Sequence, residues 1–335
     1  MKKQTTASRN VRGGVDGIKG WTQNFILILI VTLLAACQMN AGTSAEVPTA
    51  TAVPNMTLIP TRTSTPTPTS VPTSTAISPP EEMPITEYEG YELVWNDEFD
   101  GDSIDLSNWT YDIGGWGWGN GEAQYYTDHP ENARVENGLL VIEARFERFE
   151  NSYYTSARLK SEDLREFQYG WFEARTKVPR GAGLWPAFWM LGSNFETSFD
   201  ANGVSKSNWP DVGEIDIMEY IGREPNLIFG TAHGPGYSGA LGLGRWNRQD
   251  YPIADDFHVY AVDWKYEGIT WYYDGEPYFT LKREDVGNRE WVFDHEFFII
   301  LNLAVGGAFP GPIALDTKFP ANYYVDYVRV YQQTL

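Results

Sequence analysis

The chain has 335 residues, with 45 acidic against 25 basic side chains, a formal charge of −20, and 15% aromatic residues. So acidic a body argues against nucleic acid and anionic membrane surface as partners, since both would repel it, and is compatible with a neutral polymer. A single cysteine excludes an intrachain disulfide. The fold must therefore be held by its own core, which a domain of about 250 residues can supply.

Residues 1–36 carry Lys2, Lys3, Arg9, Arg12 and Lys19 against Asp16 alone, which leaves −24 on the remainder. This basic start precedes an apolar run from Phe25 to Ala36, too short for a membrane span of about 20 residues and suited to an export signal. The run closes on Leu34-Ala35-Ala36-Cys37, which resembles the lipobox of bacterial lipoproteins. That likeness implies cleavage before Cys37, lipidation of the cysteine, and an extracytoplasmic protein anchored to the cell envelope, the alternative being plain secretion. Residues 37–86 are dominated by Thr, Ser, Pro and Ala and cannot bury enough apolar surface to offset ordering, so an extended, disordered stalk is expected. Residues 87–335 read as one folded domain without an internal repeat, expected to be monomeric.

Within it, Trp116 and Trp118 lie among glycines in a predicted loop, where exposed aromatics more often bind than pack. Tyr169–Val178 alternates as a strand, with Phe172, Ala174 and Val178 on one face and Trp171, Glu173, Arg175 and Lys177 on the other. Next, Trp185 and Trp189 sit in a stretch punctuated by glycine and proline. The stretch from Trp209 to Gly222 holds three carboxylates, Glu214, Asp216 and Glu219, interleaved with Ile and Met. On a regular strand Glu214 and Asp216 share a face and Glu219 does not. One extra residue, a bulge near Ile217-Met218, would bring Glu219 to the same side. Three crowded carboxyls raise at least one pKa, which separates an ionised acid from a protonated one, the pairing that glycoside hydrolysis requires. A solvated acidic edge strand is the alternative for this stretch taken alone.

Farther on, Phe257–Trp264 and Ile269–Tyr273 read as strands joined to the next by a turn at Asp274-Gly275. Phe297–Val305 is an apolar run suited to a strand buried on both faces, and Tyr323–Tyr331 is a closing strand. Trp171, Trp264 and Trp271 are expected in the core. No long stretch keeps helical periodicity, so the class is all-β, a sandwich or barrel. The histidines are scattered, which argues against a catalytic zinc or iron site.

Gly213-Glu214-Ile215-Asp216-Ile217-Met218-Glu219 resembles the signature of family 16 of the glycoside hydrolases in its bulged, laminarinase-like form. Segments 114–122, 125–127, 183–192, 231–234 and 302–307 match laminarinase-like patterns in the same order, so the likeness spans roughly residues 88 to 333. It implies a β-jelly-roll of two curved antiparallel sheets with substrate along the concave one. It also implies a retaining endo-hydrolase of β-1,3-glucan, with Glu214 as nucleophile, Glu219 as general acid/base, and Asp216 tuning the proton inventory. Another β-glycan (mixed-linkage glucan or galactan) and a non-catalytic glucan-binding module remain open. Asn120, Glu122, Arg158, Trp185, Trp189, Trp209 and His233 are the candidate sugar contacts. No cofactor is implied for catalysis. A structural calcium, as many relatives carry, would fall on Glu98, Gly138 and Asp326. His129, His258 and His295 are expected to be structural.

Overall fold

The computed structural model describes residues 83–199 and 205–334. The export signal, Cys37 and all but the last residues of the predicted stalk lie outside the described residues. In chain order the principal strands are β1 (Tyr91–Asp97), β2 (Thr110–Tyr111), β3 (Leu140–Phe149), β4 (Arg158–Lys160), β5 (Gly170–Lys177), β6 (Leu184–Gly192) and β7 (Glu214–Glu219). They continue as β8 (Leu227–His233), β9 (Leu243–Arg248), β10 (His258–Lys265), β11 (Gly268–Tyr273), β12 (Glu276–Lys282), β13 (Phe297–Val305) and β14 (Ala321–Gln333).

They form two large sheets, and among the described residues three short 3-10 helices lie in the connections between strands. A front sheet runs β9-β8-β7-β6-β13-β4-β2, and a back sheet runs β12-β11-β10-β5-β14-β3 with β1 alongside β14. This is the all-β jelly-roll sandwich. Alternation explains the layering, because every second residue of each strand enters the space between the sheets. The front sheet contributes Leu184, Phe188, Met190, Ile215, Leu301 and Leu303, and the back sheet contributes Phe172, Val262, Trp264, Trp271, Val328 and Val330. Each such side chain stabilises by about 1.5–3 kcal/mol through burial. Trp171, Trp264 and Trp271 are all buried, as expected of them. The turn at Asp274-Gly275 joins β11 to β12 with both residues at positive φ, +48° and +82°, as a two-residue hairpin of matching twist requires.

All nine residues of β13 are buried. Its second face is covered by a smaller cluster in which Phe298 and Ile300 meet Leu191 and Val212, with Trp189 packed against them. The outer face of β5 is also covered, although alternation alone would leave it to solvent. Trp171 lies under Tyr88, Tyr331 and Tyr272. The buried Glu173 accepts hydrogen bonds from Tyr88 Oη (2.6 Å), Trp171 Nε1 (2.9 Å) and Tyr331 Oη (3.4 Å). On the same outer face the guanidinium of Arg329, 1% exposed, donates to both oxygens of Glu98 and to the carbonyls of Met83 and Pro84. The chain is therefore fastened to the back sheet from residue 83 onward.

Candidate functional site

The strand β7 carries the expected irregularity. Against β8, Asp216 pairs with Thr231 and Glu219 with Phe229, so three steps on β7 match two on its neighbour. Against β6, Asp216 pairs with Trp189 and Met218 with Phe188, again one residue in excess. The extra residue lies at Ile217. Ile217 and Met218 both point into the core, at 1% and 0% exposure, and the phase change turns Glu219 to the face of Glu214 and Asp216. Gly213, at φ +77°, delivers the chain into β7, and a Cβ there would come 2.9 Å from the Phe297 ring.

A bulge leaves ladder groups without strand partners. Here Trp271, on the back sheet, donates its indole N–H to the carbonyl of Asp216 at 2.8 Å across the buried core. The opposite residue of β8 must be small for this. A Cβ on Gly230 would come 2.4 Å from Trp271 Cδ1. One glycine, one indole and one carbonyl thus hold the irregular backbone in place.

Each glutamate has its own indole donor. Trp209 Nε1 donates to Glu214 Oε2 and Trp185 Nε1 to Glu219 Oε1, both at 3.0 Å. His233, on the adjacent strand β8, places Nε2 3.0 Å from Asp216 Oδ2 and 3.6 Å from Glu214 Oε1. Glu214, Asp216 and His233 each put one donor atom within 4.8 Å of the others, so folding gathers one of the histidines that look scattered in the sequence.

All three carboxyls are raised above their ordinary range, with burial as the largest cause. Glu214 is raised to about 8 by burial and by the charge of Asp216, against opposing contributions from His233, Arg158 and the Trp209 hydrogen bond. Glu219 stands well above the glutamate range, pushed by burial and by the charges of Asp216 and Glu214. His233 opposes the rise on both glutamates, but Glu214 also has Arg158 and the more exposed side chain, and Glu219 feels the charges of both Asp216 and Glu214. These influences favour the proton on Glu219 over Glu214.

The other candidates form a network beside this trio. Arg158 lies over the rings of Trp118 and Trp189, 4.9 and 4.7 Å from their centroids, and pairs with Asp112 at 2.8 Å. Trp189 donates to Asn302 Oδ1 at 2.7 Å, and Asn302 Nδ2 donates to the buried Tyr126 hydroxyl at 3.1 Å. Tyr126 in turn donates to Glu122 Oε2, which also accepts from Gln124, while Asn120 donates to Glu122 Oε1. Burial raises the pKa of Glu122, partly offset by Gln124 and Arg158. Trp118 is packed on Tyr126, and Trp116, 45% exposed, lies 4.0 Å from Trp118. Asn302, Tyr126, Phe229 and Phe309 were not singled out as site residues from sequence. Phe309 bridges Trp185 and Phe229, with centroids 5.5 and 5.2 Å away, and nothing in its local sequence marks it.

His258 pairs with Asp274 and stacks between Tyr251 and Tyr273, and His295 reaches the carbonyls of Val212 and Glu296. His129 packs edge-on against Phe149. The calcium candidates lie on the other side of the molecule. Glu98 is held by Arg329, and Asp326 Oδ2 accepts from Arg175 Nη1 at 2.6 Å. Burial raises the pKa of Asp326 against the pull of Arg175, and the charge of Glu98 adds to the rise, so the two acids are neighbours. Hard oxygen donors with spare lone pairs suit calcium, with two guanidiniums as competitors.

Residues 120–329 match the family described as Glycosyl hydrolases family 16. The chain is 46% identical over 251 residues to a beta-glucanase of Rhodothermus marinus, covering 72% of this chain and 85% of that one. Among solved structures it resembles the catalytic domain of an endo-1,3-beta-glucanase (laminarinase) from Thermotoga petrophila RKU-1, at 45% identity and a TM-score of 0.67. That match covers 73% of this chain and 99% of the other. An endo-beta-1,3-glucanase from Pyrococcus furiosus matches at 47% identity and a TM-score of 0.67, over 73% and 95% of the two chains.

Proposed function

Because the chain belongs to family 16 of the glycosyl hydrolases, we propose that it cleaves internal β-1,3-glucosidic bonds of laminarin-type glucan with retention at the anomeric carbon. The observation that carries this reading is the bulge at Ile217, which aims Glu219 to the face of Glu214 while each acid keeps a separate indole donor. Glu214, the first to ionise, attacks the anomeric carbon. Glu219, which holds the proton, delivers it to the departing glycosidic oxygen. The covalent glycosyl-enzyme then meets a water molecule that Glu219, now ionised, deprotonates. Burial holds the proton on Glu219, and the neighbouring Asp216 adds to that hold. The linkage follows the relatives named as endo-1,3-beta-glucanases.

Reducing-end release from laminarin, lichenan and agarose by the wild-type chain tests the substrate class. Proton NMR of the first product tests retention, a β-anomer being expected. Glu219→Gln should lower kcat by about 10²–10⁴-fold and Glu214→Gln at least as much. Hydrolysis that survives both substitutions overturns the reading, as does an initial α-anomer.

The proposal extends to the rest of the chain. Export, with lipidation at Cys37, is supported by the basic and apolar start and its closing Leu-Ala-Ala-Cys. Intact-mass measurement of the membrane fraction, with Cys37→Ala as the control, decides it. A monomer with a calcium ion near Glu98, Gly138 and Asp326 completes the expected assembly.

A further inference from the structure

We infer that Trp246, on the outermost strand of the front sheet, is a stacking platform for a glucosyl ring of the bound chain, two strands away from the cleavage point. The inference rests on the proposed glucanase reading and adds a binding position to it.

The argument is one of register. Residues directly opposite each other in antiparallel strands project to the same face. Glu219 of β7 is paired with Phe229 of β8, and Phe229 with Trp246 of β9. Ile228 and Ala232 of β8 enter the core between the sheets, so Phe229, Thr231 and His233 occupy the opposite face, where His233 meets Asp216 and Glu214. Trp246 therefore shares a face with the acids. Two inter-strand steps of about 4.8 Å set it about 10 Å from Glu219 along that row.

In the other direction the same row passes through Ala187, Asn302 and Arg158. A single line across six strands thus leads from the Arg158 network, past the acid, to Trp246. The intervening surface is aromatic, since Trp185, Phe309 and Phe229 pack edge to face from the acid outward.

Trp246 is 59% exposed. On an edge strand this large an apolar ring is an expense that native proteins usually avoid by placing charges there. Arg248, two residues on and hence on the same side of β9, places its guanidinium 5.8 Å from the ring centroid. Indoles offer an apolar face with little conformational freedom to lose, which suits the flat C–H face of a sugar whose hydroxyls stay in water.

The test compares Trp246→Ala and Trp246→Phe with wild type. Trp246→Ala should raise KM for long laminarin about tenfold while kcat moves less than about twofold, which corresponds to the loss of about 1.4 kcal/mol of binding. Trp246→Phe should recover most of the loss. The same substitution in a Glu219→Gln background, titrated calorimetrically with laminarihexaose, should weaken binding by a similar factor. Unchanged KM and unchanged hexaose affinity overturn the inference, as does a fall in kcat without a change in KM. A wild-type chain that leaves laminarin intact while hexaose binding still depends on Trp246 sinks the hydrolase reading and keeps the platform.

Discussion

Two indole N–H groups separate the behaviour of the glutamates, and the separation can be measured. A hydrogen bond to a carboxylate favours its charged form. Removing the Trp209 donor therefore raises the pKa of Glu214, which in the proposed mechanism is ionised to attack. Trp209→Phe should move the acidic limb of the kcat/KM profile to higher pH. Removing the Trp185 donor raises the pKa of Glu219, which in the proposed mechanism is the protonated acid, so Trp185→Phe should move the basic limb to higher pH. Shifts of both limbs together in either variant would contradict the assignment. The same carboxyls have a cost in stability. The folded pKa of Glu219 lies well above an unfolded value near 4.3. The native state then binds more protons in that window, and stability falls as pH rises through it. Glu219→Gln should melt several degrees above wild type at pH 7, with the gain vanishing near pH 4. A lower melting temperature at pH 7 would contradict the burial argument.

At the scale of the strand, the irregularity in β7 depends on a residue from the opposite sheet. Trp271→Phe keeps most of the buried ring but strands the Asp216 carbonyl, at a cost of about 1–3 kcal/mol. It should also lower kcat, because the bulge sets the direction of Glu219. Trp264→Phe is the matched control, since its indole donates to the Phe293 carbonyl at 3.2 Å, far from the bulge. It should lower the melting temperature and leave kcat alone. Equal losses of kcat in the two variants would make Trp271 merely structural. Parity counting made the bulge legible in the sequence, because Glu219 has the wrong phase for a regular strand and only one inserted residue corrects it. The strands were legible for the same reason. The support was not, because Trp271 lies 55 residues from Asp216 and its own alternation marks it only as core. Trp185 and Trp209 stood out as aromatic sugar contacts, and their geometry makes them donors to the acids. Trp189 stood out likewise, and it is tied to Asn302 beneath Arg158. Phe229 and Phe309 carry no local sequence signal at all.

For the whole molecule, the back sheet is the face where charge meets the body of the fold. Glu98 and Asp326 are neighbouring anions held by Arg329 and Arg175. A calcium ion at Glu98, Gly138 and Asp326 would bind only the folded state and shift unfolding by mass action. Melting of the intact chain in millimolar calcium should lie above melting in chelator, and Asp326→Asn should abolish the difference without lowering kcat. Identical melting curves would remove the ion from the account.

Arg329 also fixes where the polypeptide leaves the domain. Its core-facing neighbours are Val328 and Val330, so its own side chain lies on the outside of the back sheet, where it grips Met83 and Pro84. The three acids open on the opposite side of the sandwich. Met83 and Pro84 are thus held at the rear of the domain, behind its working edge. The face that carries the three acids is left uncovered by that anchorage.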